Sequence, residues 1–398
     1  MQQDSPDAVL PPGGQPEPRR SPAPEQRYLS IDILRALAIL LMIEVHAVDH
    51  LSRRIPYPDY LNNITQIFGH LAAPLFTLVA GLSYALWLRA QQRAGRSTDE
   101  IVKYSLRRGL FVFGLGFVVN VFIWLPDSTF DWDILQSIGG CAIILIAVRN
   151  WRPGTLIAIA VVILLVTPPL RQLVDYDSYW NVTGEFTYRT KLGPVLLGFF
   201  LTGYFPLLPW LLYPLIGFAL GQLYYRDEKA TPLPLLIPAL GAVMLVLALL
   251  GGLLKPEVPA WIARYYATGW PDGFYPATTV FILASLGGTL IGLWILNRTI
   301  DLNESVTGRG PVLTFFRRYS YFALSAYVLH LAIQIWPLRL LALWEGQMRI
   351  DYYQGRSLEI PGALVSALLL IVALYLLFIF LDRHKKYSLE YFMRWVSS

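Results

Sequence analysis

Apolar residues in this chain fall into long runs that short polar segments separate. Several runs reach roughly 18–22 residues, the length that an α-helix needs to cross the hydrocarbon of a bilayer. The pattern predicts ten spanning helices, at residues 32–51, 64–88, 109–125, 134–149, 154–170, 205–225, 232–254, 276–297, 320–341 and 361–382. Because no run shows the alternating pattern of a membrane β-barrel, the predicted fold class is an all-α, polytopic helical membrane bundle.

The segments around these runs predict a simple domain organisation. Residues 1–27 are rich in proline, glycine and charge, which predicts a disordered cytoplasmic tail. Residues 28–386 form one predicted transmembrane domain, and residues 387–398 form a short cytoplasmic tail. The apolar segment 191–204 is too short to span, so it predicts an interfacial or re-entrant piece.

Charge sets the predicted orientation. The net charge is +5, but the basic residues cluster in short loops that set topology, so no nucleic-acid partner is expected. With the N-terminus inside, the inside segments hold 21 Lys and Arg and the outside loops hold 9. The positive-inside rule therefore predicts that both termini face the cytoplasm. The excess of Arg over Lys is typical of a GC-rich bacterium, which favours a multi-pass protein of the plasma (inner) membrane.

The first predicted span is unusually polar for a membrane helix. It carries Asp32, Arg35, Glu44, His46, Asp49 and His50. A titratable side chain in hydrocarbon costs a few kcal/mol on insertion scales, so such residues are rare and usually functional. Arg35, His46 and Asp49 share one helical stripe, whereas Glu44 points away from it. We therefore interpret the remaining helices as a bundle that surrounds this first, polar helix.

Other spans carry histidines that can join this stripe. His50 lies one turn beyond His46, and His70 lies at a similar predicted depth in the second span. His330, in the ninth span, shares a face with Tyr327 and Gln334. An imidazole in a membrane also serves as a hydrogen-bonded link between helices. For the group around His46, the pattern favours a catalytic function over that structural alternative.

Three further features suggest binding groups. Asp133 and Gln136 open the fourth span, where they line the predicted outer mouth or, alternatively, form a polar helix start. Arg107 and Arg108 close the most basic inside loop, which suits phosphate binding as well as topology. A metal site is not expected, because Cys141 is the single cysteine and no H-E-x-x-H pattern occurs.

Several motifs occur in an order that resembles a known family. The segment SIDILRALAILLMIEVH carries Ser30, Asp32, Arg35, Ala38 and Met42 in the pattern S-x-D-x-x-R-G-x-A-x-x-x-M, with Ala36 in place of glycine. The segment HLAAPLFTLVAGLSYAL carries His70, Pro74, Phe76 and Gly81. These motifs, with later ones as far as Tyr321 to His330, resemble the transmembrane acyltransferases related to heparan-α-glucosaminide N-acetyltransferase.

The resemblance implies transfer of an acyl group from acyl-CoA or acetyl-CoA to a hydroxyl or amine acceptor, commonly a sugar or glycolipid. It also implies a catalytic histidine in the loop after the entry helix. In this chain the loop 52–63 has no histidine, and His46 and His50 come earlier. The expected partners are thus the lipid bilayer, acyl-CoA and a sugar-like acceptor, and the sequence leaves a homodimer open.

The residues and the resemblance together give one mechanistic hypothesis. Donor phosphates are expected near Arg35, Arg107 or Arg108, and Asp133 and Tyr327 are also expected to bind a substrate. The general base is His46 or His70, since an imidazole titrates near neutral pH. Asp49 is expected to orient an imidazole, and Gln136, His50 or His330 to donate to the developing oxyanion. Direct transfer and a covalent acyl-histidine remain open.

A second function class also fits buried titratable groups. A proton-coupled carrier of a small molecule or lipid-linked glycan uses such residues near the membrane midplane. The sequence shows no pair of matching interrupted helices, which many carriers have. CoA dependence separates the two classes, because a carrier neither binds nor cleaves a thioester.

Overall fold

The computed structural model describes residues 28–52, 60–124, 129–180, 191–226, 230–253, 259–267, 273–303, 305–306, 310–346, 353 and 357–398. The predicted tail at 1–27 lies outside these residues. The helices are α1 Leu29–Leu51, α2 Tyr60–Gly69, α3 Ala72–Arg93, α4 Thr98–Val119, α5 Ile134–Ala147, α6 Pro153–Leu173, α7 Tyr176–Trp180, α8 Leu192–Leu197, α9 Leu207–Trp210, α10 Leu212–Tyr224, α11 Leu236–Leu253, α12 Ala260–Ile262, α13 Thr279–Leu296, α14 Pro311–Tyr321, α15 Ala323–Trp344, α16 Ile360–Arg383 and α17 Leu389–Ser397. The predicted helical bundle is confirmed.

Within the described residues, eight helical segments are long and apolar enough to cross a membrane. They are Tyr60–Arg93, Thr98–Trp124, Pro153–Leu173, Leu192–Tyr224, Leu236–Leu253, Thr279–Asp301, Ala323–Trp344 and Ile360–Arg383. Each coincides with one predicted span. The other two predicted spans are α1, which is rich in charged residues, and α5, which has only 14 residues. A total of ten spans and the cytoplasmic termini therefore stay predictions.

Helix α1 lies among the other helices rather than at the edge of the bundle. It packs against α2, α3, α14, α15 and α16. Its residues Ile39, Ile43 and Ala47 are fully buried, which fixes one face of the helix against α15 and α16. At its start, the backbone N–H and the hydroxyl of Ser30 donate to the two Asp301 carboxylate oxygens, at 2.9 and 2.5 Å. These contacts satisfy donors that the helix leaves open at its N-terminus.

Glycines let two helix pairs approach closely. A Cβ atom on Gly217 of α10 would lie 2.0 Å from the Leu78 carbonyl oxygen of α3. The spacing Gly217-x-x-x-Gly221 predicts such a contact, and the structure confirms it. The same prediction is wrong for Gly288 and Gly292, because a Cβ at either would meet nothing within 4 Å. Helices α11 and α13 instead meet at Gly241 and Gly287.

Two segments predicted at the margins of the bundle are helical. The predicted interfacial piece 191–204 forms α8 and a wider helical turn, Gly198–Thr202. The predicted tail 387–398 contains α17, which Ser388 caps through a bond from the Tyr391 N–H. Helix α17 packs against α4 and α15, so the end of the chain is part of the bundle.

We expect Gly217→Ala to destabilise the protein and Gly288→Ala not to do so. The added methyl group at position 217 would overlap a backbone oxygen, and overpacking of this kind costs about 1–3 kcal/mol. At position 288 the methyl group enters open space, and alanine gains helix propensity over glycine. Thermal unfolding of both variants in detergent measures the difference. Equal midpoints would contradict the close contact between α3 and α10.

Candidate active site

Two neighbouring cavities lie inside the bundle. The larger, which we call the basic cavity, has a volume of about 410 Å³ and is lined by Arg35, Arg108 and Arg394. The smaller, which we call the histidine cavity, has a volume of about 100 Å³ and is lined by His46 and His70. The basic cavity lies toward the start of α1 and the histidine cavity toward its end. The two cavities are therefore stacked along α1.

The histidine cavity is built on a pair of imidazoles from α1 and α15. His46 Nδ1 and His330 Nε2 are 2.9 Å apart, and the two rings are nearly parallel, at 4°. His330 Nδ1 lies 3.1 Å from the Ala326 carbonyl oxygen, which can only accept a hydrogen bond. His330 Nδ1 therefore carries the proton, and His330 Nε2 is the acceptor. It follows that His46 donates from Nδ1 and keeps its lone pair on Nε2.

Packing between α1 and α15 holds this pair in place. His330 is fully buried, and one turn further along α15 the Gln334 amide donates to the Ile43 carbonyl oxygen at 3.1 Å. Tyr327, on the preceding turn, lines the histidine cavity. The shared face predicted for Tyr327, His330 and Gln334 is thus the face that contacts α1. Sequence reasoning did not pair His330 with His46, and their separation of 284 residues gives no local signal for it.

The other two predicted imidazoles surround this pair differently. His70 lines the same cavity as His46, as their similar predicted depth suggested, and its ring stacks on Phe274 at 4.3 Å. The His50 ring lies 5.5 Å from the His46 ring and 5.0 Å from Trp124, but His50 does not line the cavity. His70 is therefore placed to meet a ligand, whereas His50 packs behind His46.

Two carboxylates line the histidine cavity. Asp133 accepts the Leu135 N–H at 3.0 Å, so it caps α5, and it also accepts the Tyr327 hydroxyl at 2.5 Å. Asp133 thus caps α5 and lines the histidine cavity at the same time. Asp49 accepts from the Gln66 amide at 2.6 Å. The acceptor that orients the His46 ring is His330 Nε2, and the role of Asp49 in orienting an imidazole stays a prediction.

Gln136, predicted as an oxyanion donor, lies away from both cavities. Its side chain is fully buried, and a Cβ on Gly116 of α4 would lie 2.8 Å from its Cγ. The helix α5 turns Asp133 and Ile138 toward the cavities and Gln136 toward α4. The structure therefore places Gln136 in the α4–α5 contact.

Arginines give the larger cavity its charge. Arg35 donates to the hydroxyls of Ser320 at 2.7 Å and Ser83 at 2.5 Å, and it lies 3.6 Å from Asp32. Arg108 also lines this cavity, with an exposed side chain. Its neighbour Arg107 is not a lining residue and donates to the Ser398 carbonyl oxygen at 2.8 Å. Of the predicted phosphate ligands, the structure brings Arg35 and Arg108 together.

The C-terminal helix supplies residues that sequence reasoning missed. Arg394 of α17 lines the basic cavity and donates to the Tyr321 hydroxyl at 2.5 Å. Glu390 anchors α17, since its carboxylate accepts the N–H and the hydroxyl of Ser325 at 2.8 and 2.7 Å. Burial raises the pKa of the Glu390 carboxyl, while the bonds from Ser325 lower it. The strong amphipathic pattern of 389–397, within the predicted short tail, is the sequence signal that could have indicated this packed helix.

Aromatic rings complete the basic cavity. Trp87 and Tyr84 of α3 line it, with ring centroids 5.8 Å apart. Tyr104 of α4 stacks on Trp87, at 5.3 Å and 19°. A cavity with arginines and flat aromatic faces suits a ligand that has both phosphate groups and a planar base. Within the described residues, no group of three or more His, Cys, Asp or Glu is arranged to hold a metal ion.

This fold and these cavities define a multi-pass helical membrane protein with an imidazole pair inside the bundle. The family model described as heparan-alpha-glucosaminide N-acetyltransferase, catalytic, matches residues 27–253, which is more than half of the chain. The chain therefore belongs to the heparan-α-glucosaminide N-acetyltransferase family, as the sequence motifs predicted. No curated protein matches it. The matched region contains His46 and Arg108, whereas His330 and α17 lie beyond it.

We expect nitrogen-15 NMR of histidine-labelled protein to show that His46 is protonated on Nδ1 and unprotonated on Nε2. The chain has five histidines, and the His46 signals are those that disappear in His46→Gln. His330→Ala should raise the population of the other tautomer, because it removes the acceptor of the Nδ1 proton. A wild-type His46 protonated on Nε2 would contradict donation from His46 to His330.

Proposed function

We propose that this protein is an acyl-CoA-dependent acyltransferase that acetylates or acylates a hydroxyl or amine of a sugar-like acceptor at a cell (plasma or inner) membrane. The observation that carries the proposal is the hydrogen-bonded pair of His46 and His330, in which His46 lines a cavity that adjoins a basic, aromatic one. Membership of an acetyltransferase family supports the same reaction type.

The basic cavity is the proposed donor site. Coenzyme A carries phosphate groups, an adenine ring and a long pantetheine arm that ends in the thioester. Arg108 and Arg394 suit the phosphates, because guanidinium groups bind phosphate oxygens in pairs. Trp87 and Tyr84 line this cavity, so their rings are the proposed contacts for the adenine ring. The arm then extends toward Arg35 and the wall that adjoins the histidine cavity.

His46 is the proposed general base. Its Nε2 takes the proton of the acceptor hydroxyl or amine as the acceptor attacks the thioester carbon. The carbon–sulfur bond then breaks, a carbon–oxygen or carbon–nitrogen bond forms, and the proton passes to the thiolate of CoA. His330 stabilises the charged intermediate form of His46, because its Nε2 accepts the Nδ1–H throughout. His70, which lines the same cavity, is the proposed donor to the oxyanion.

The acceptor is proposed to enter the histidine cavity from the end that holds Asp49 and Asp133. Tyr275 and Tyr327 line this end, so aromatic faces and carboxylates lie side by side. Such a lining suits the hydroxyl or amine groups and the apolar faces of a sugar. Under the predicted orientation this end faces away from the cytoplasm, so the acyl group moves from a cytoplasmic donor to an acceptor on the far side.

We expect His46→Gln to lose acceptor-dependent release of CoA by roughly 10²–10⁴-fold, the contribution of a positioned general base. The matched control is His384→Gln, since His384 is exposed at the end of α16 and lines neither cavity. The measurement is CoA release by the purified protein in nanodiscs, with acetyl-CoA and a panel of amino sugars and glycosides. Full activity of His46→Gln would refute the base. If the wild type neither binds nor cleaves thioesters, the carrier becomes the better hypothesis.

A further inference from the structure

The two cavities are separated by two side chains. Phe76 of α3 and Ile138 of α5 are the residues that line both the basic and the histidine cavity within the described part of the chain. Both side chains are half-buried. Phe76 packs on two of the hydrophobic clusters of the core, and Ile138 packs on a third. The dividing wall is thus held by the interior of the bundle.

Phe76 and Ile138 lie between the proposed donor site and His46, where the thioester of a bound donor would have to pass. Arg35 lines the basic cavity and His46 lines the histidine cavity, and three helical turns of α1 separate the two residues. Because the two cavities adjoin at Phe76 of α3 and Ile138 of α5, a donor whose phosphates bind at Arg108 and Arg394 would reach His46 by crossing between these two side chains. We infer that Phe76 and Ile138 form an apolar gate that selects short acyl groups and keeps water from the thioester. This inference rests on the proposed function.

Size is the first consequence of the gate. The histidine cavity has only about 100 Å³, and it must hold the acyl group together with the reacting atom of the acceptor. Met42 and Ala73, from α1 and α3, line it together with Phe76, so the acyl group shares this small volume with their side chains. An acyl chain of several carbons would therefore have to occupy the space that Ile138 fills.

Water exclusion is the second consequence. In the competing reaction, water attacks the thioester carbon, the carbon–sulfur bond breaks, and a carboxylic acid and free CoA form. His46 would serve this reaction as well, by taking a proton from water and returning it to the CoA thiolate. The basic cavity has the volume and the polar lining to hold water, whereas the apolar faces of Phe76 and Ile138 offer water no hydrogen bond. A closed gate therefore favours the acceptor over water.

Opposite changes at Ile138 test this inference in the full-length protein in nanodiscs. Ile138→Ala opens the wall, so we expect the ratio of hexanoyl to acetyl transfer, and the ratio of hydrolysis to transfer, to rise about tenfold or more. Ile138→Phe fills the wall, so both ratios should fall and acetyl transfer should slow. The matched control is Ile144→Ala, a partly buried isoleucine of the same helix that lines neither cavity.

The outcomes separate the gate from the proposed function. Wild-type protein that does not cleave acyl-CoA would overturn the proposed function and the gate with it. Wild-type protein that transfers acetyl groups, with both ratios unchanged in Ile138→Ala and Ile138→Phe, would overturn the gate alone. Equal changes in Ile144→Ala would also overturn it, since they would show a general loosening of α5. If Ile138→Ala does not fold, Phe76→Leu provides a smaller opening with the same expected direction.

Discussion

The hydrogen bond between His46 and His330 is the contact on which the rest of this structure depends. It joins α1 to α15 inside the bundle, where water cannot replace a lost partner, so both imidazoles need the right tautomer. The Ala326 carbonyl sets the tautomer of His330, which sets that of His46. A single backbone oxygen thus determines which nitrogen of His46 is basic. This arrangement also explains why so polar a helix as α1 lies among other helices.

The same helix connects the two cavities. Arg35 near its start belongs to the basic cavity, and His46 near its end belongs to the histidine cavity. The other lining residues come from helices that are far apart in sequence, among them α3, α4, α5, α10, α14, α15 and α17. The glycine contacts between α3 and α10 fix α3 beside the basic cavity, which Pro214 of α10 also lines, so that Phe76 and Trp87 keep their places. The positions of the residues that line the two cavities are therefore set by the packing of the helices.

Much of the fold and part of the site could be predicted from the sequence. The apolar runs predicted the eight helical segments that are long and apolar enough to cross a membrane, because the bilayer fixes the length of a helix that crosses it. Helical spacing placed Arg35 and His46 on one stripe of α1. The similar predicted depth of His46 and His70 suggested that they could meet, and both line the histidine cavity. No comparable rule predicts which side chains contact each other between different helices. The pairing of His46 with His330, the burial of Gln136 against α4 and the return of Arg394 to the basic cavity all follow from tertiary packing.

The most direct test of the proposed donor path is a cryo-EM structure of the protein in nanodiscs with a thioether analogue of acetyl-CoA, which cannot transfer its acyl group. We expect the phosphates beside Arg108 and Arg394, the pantetheine arm between Phe76 and Ile138, and the carbonyl group next to His46 Nε2. An analogue bound elsewhere, or one whose carbonyl group lies outside the histidine cavity, would contradict the role of His46 as the base.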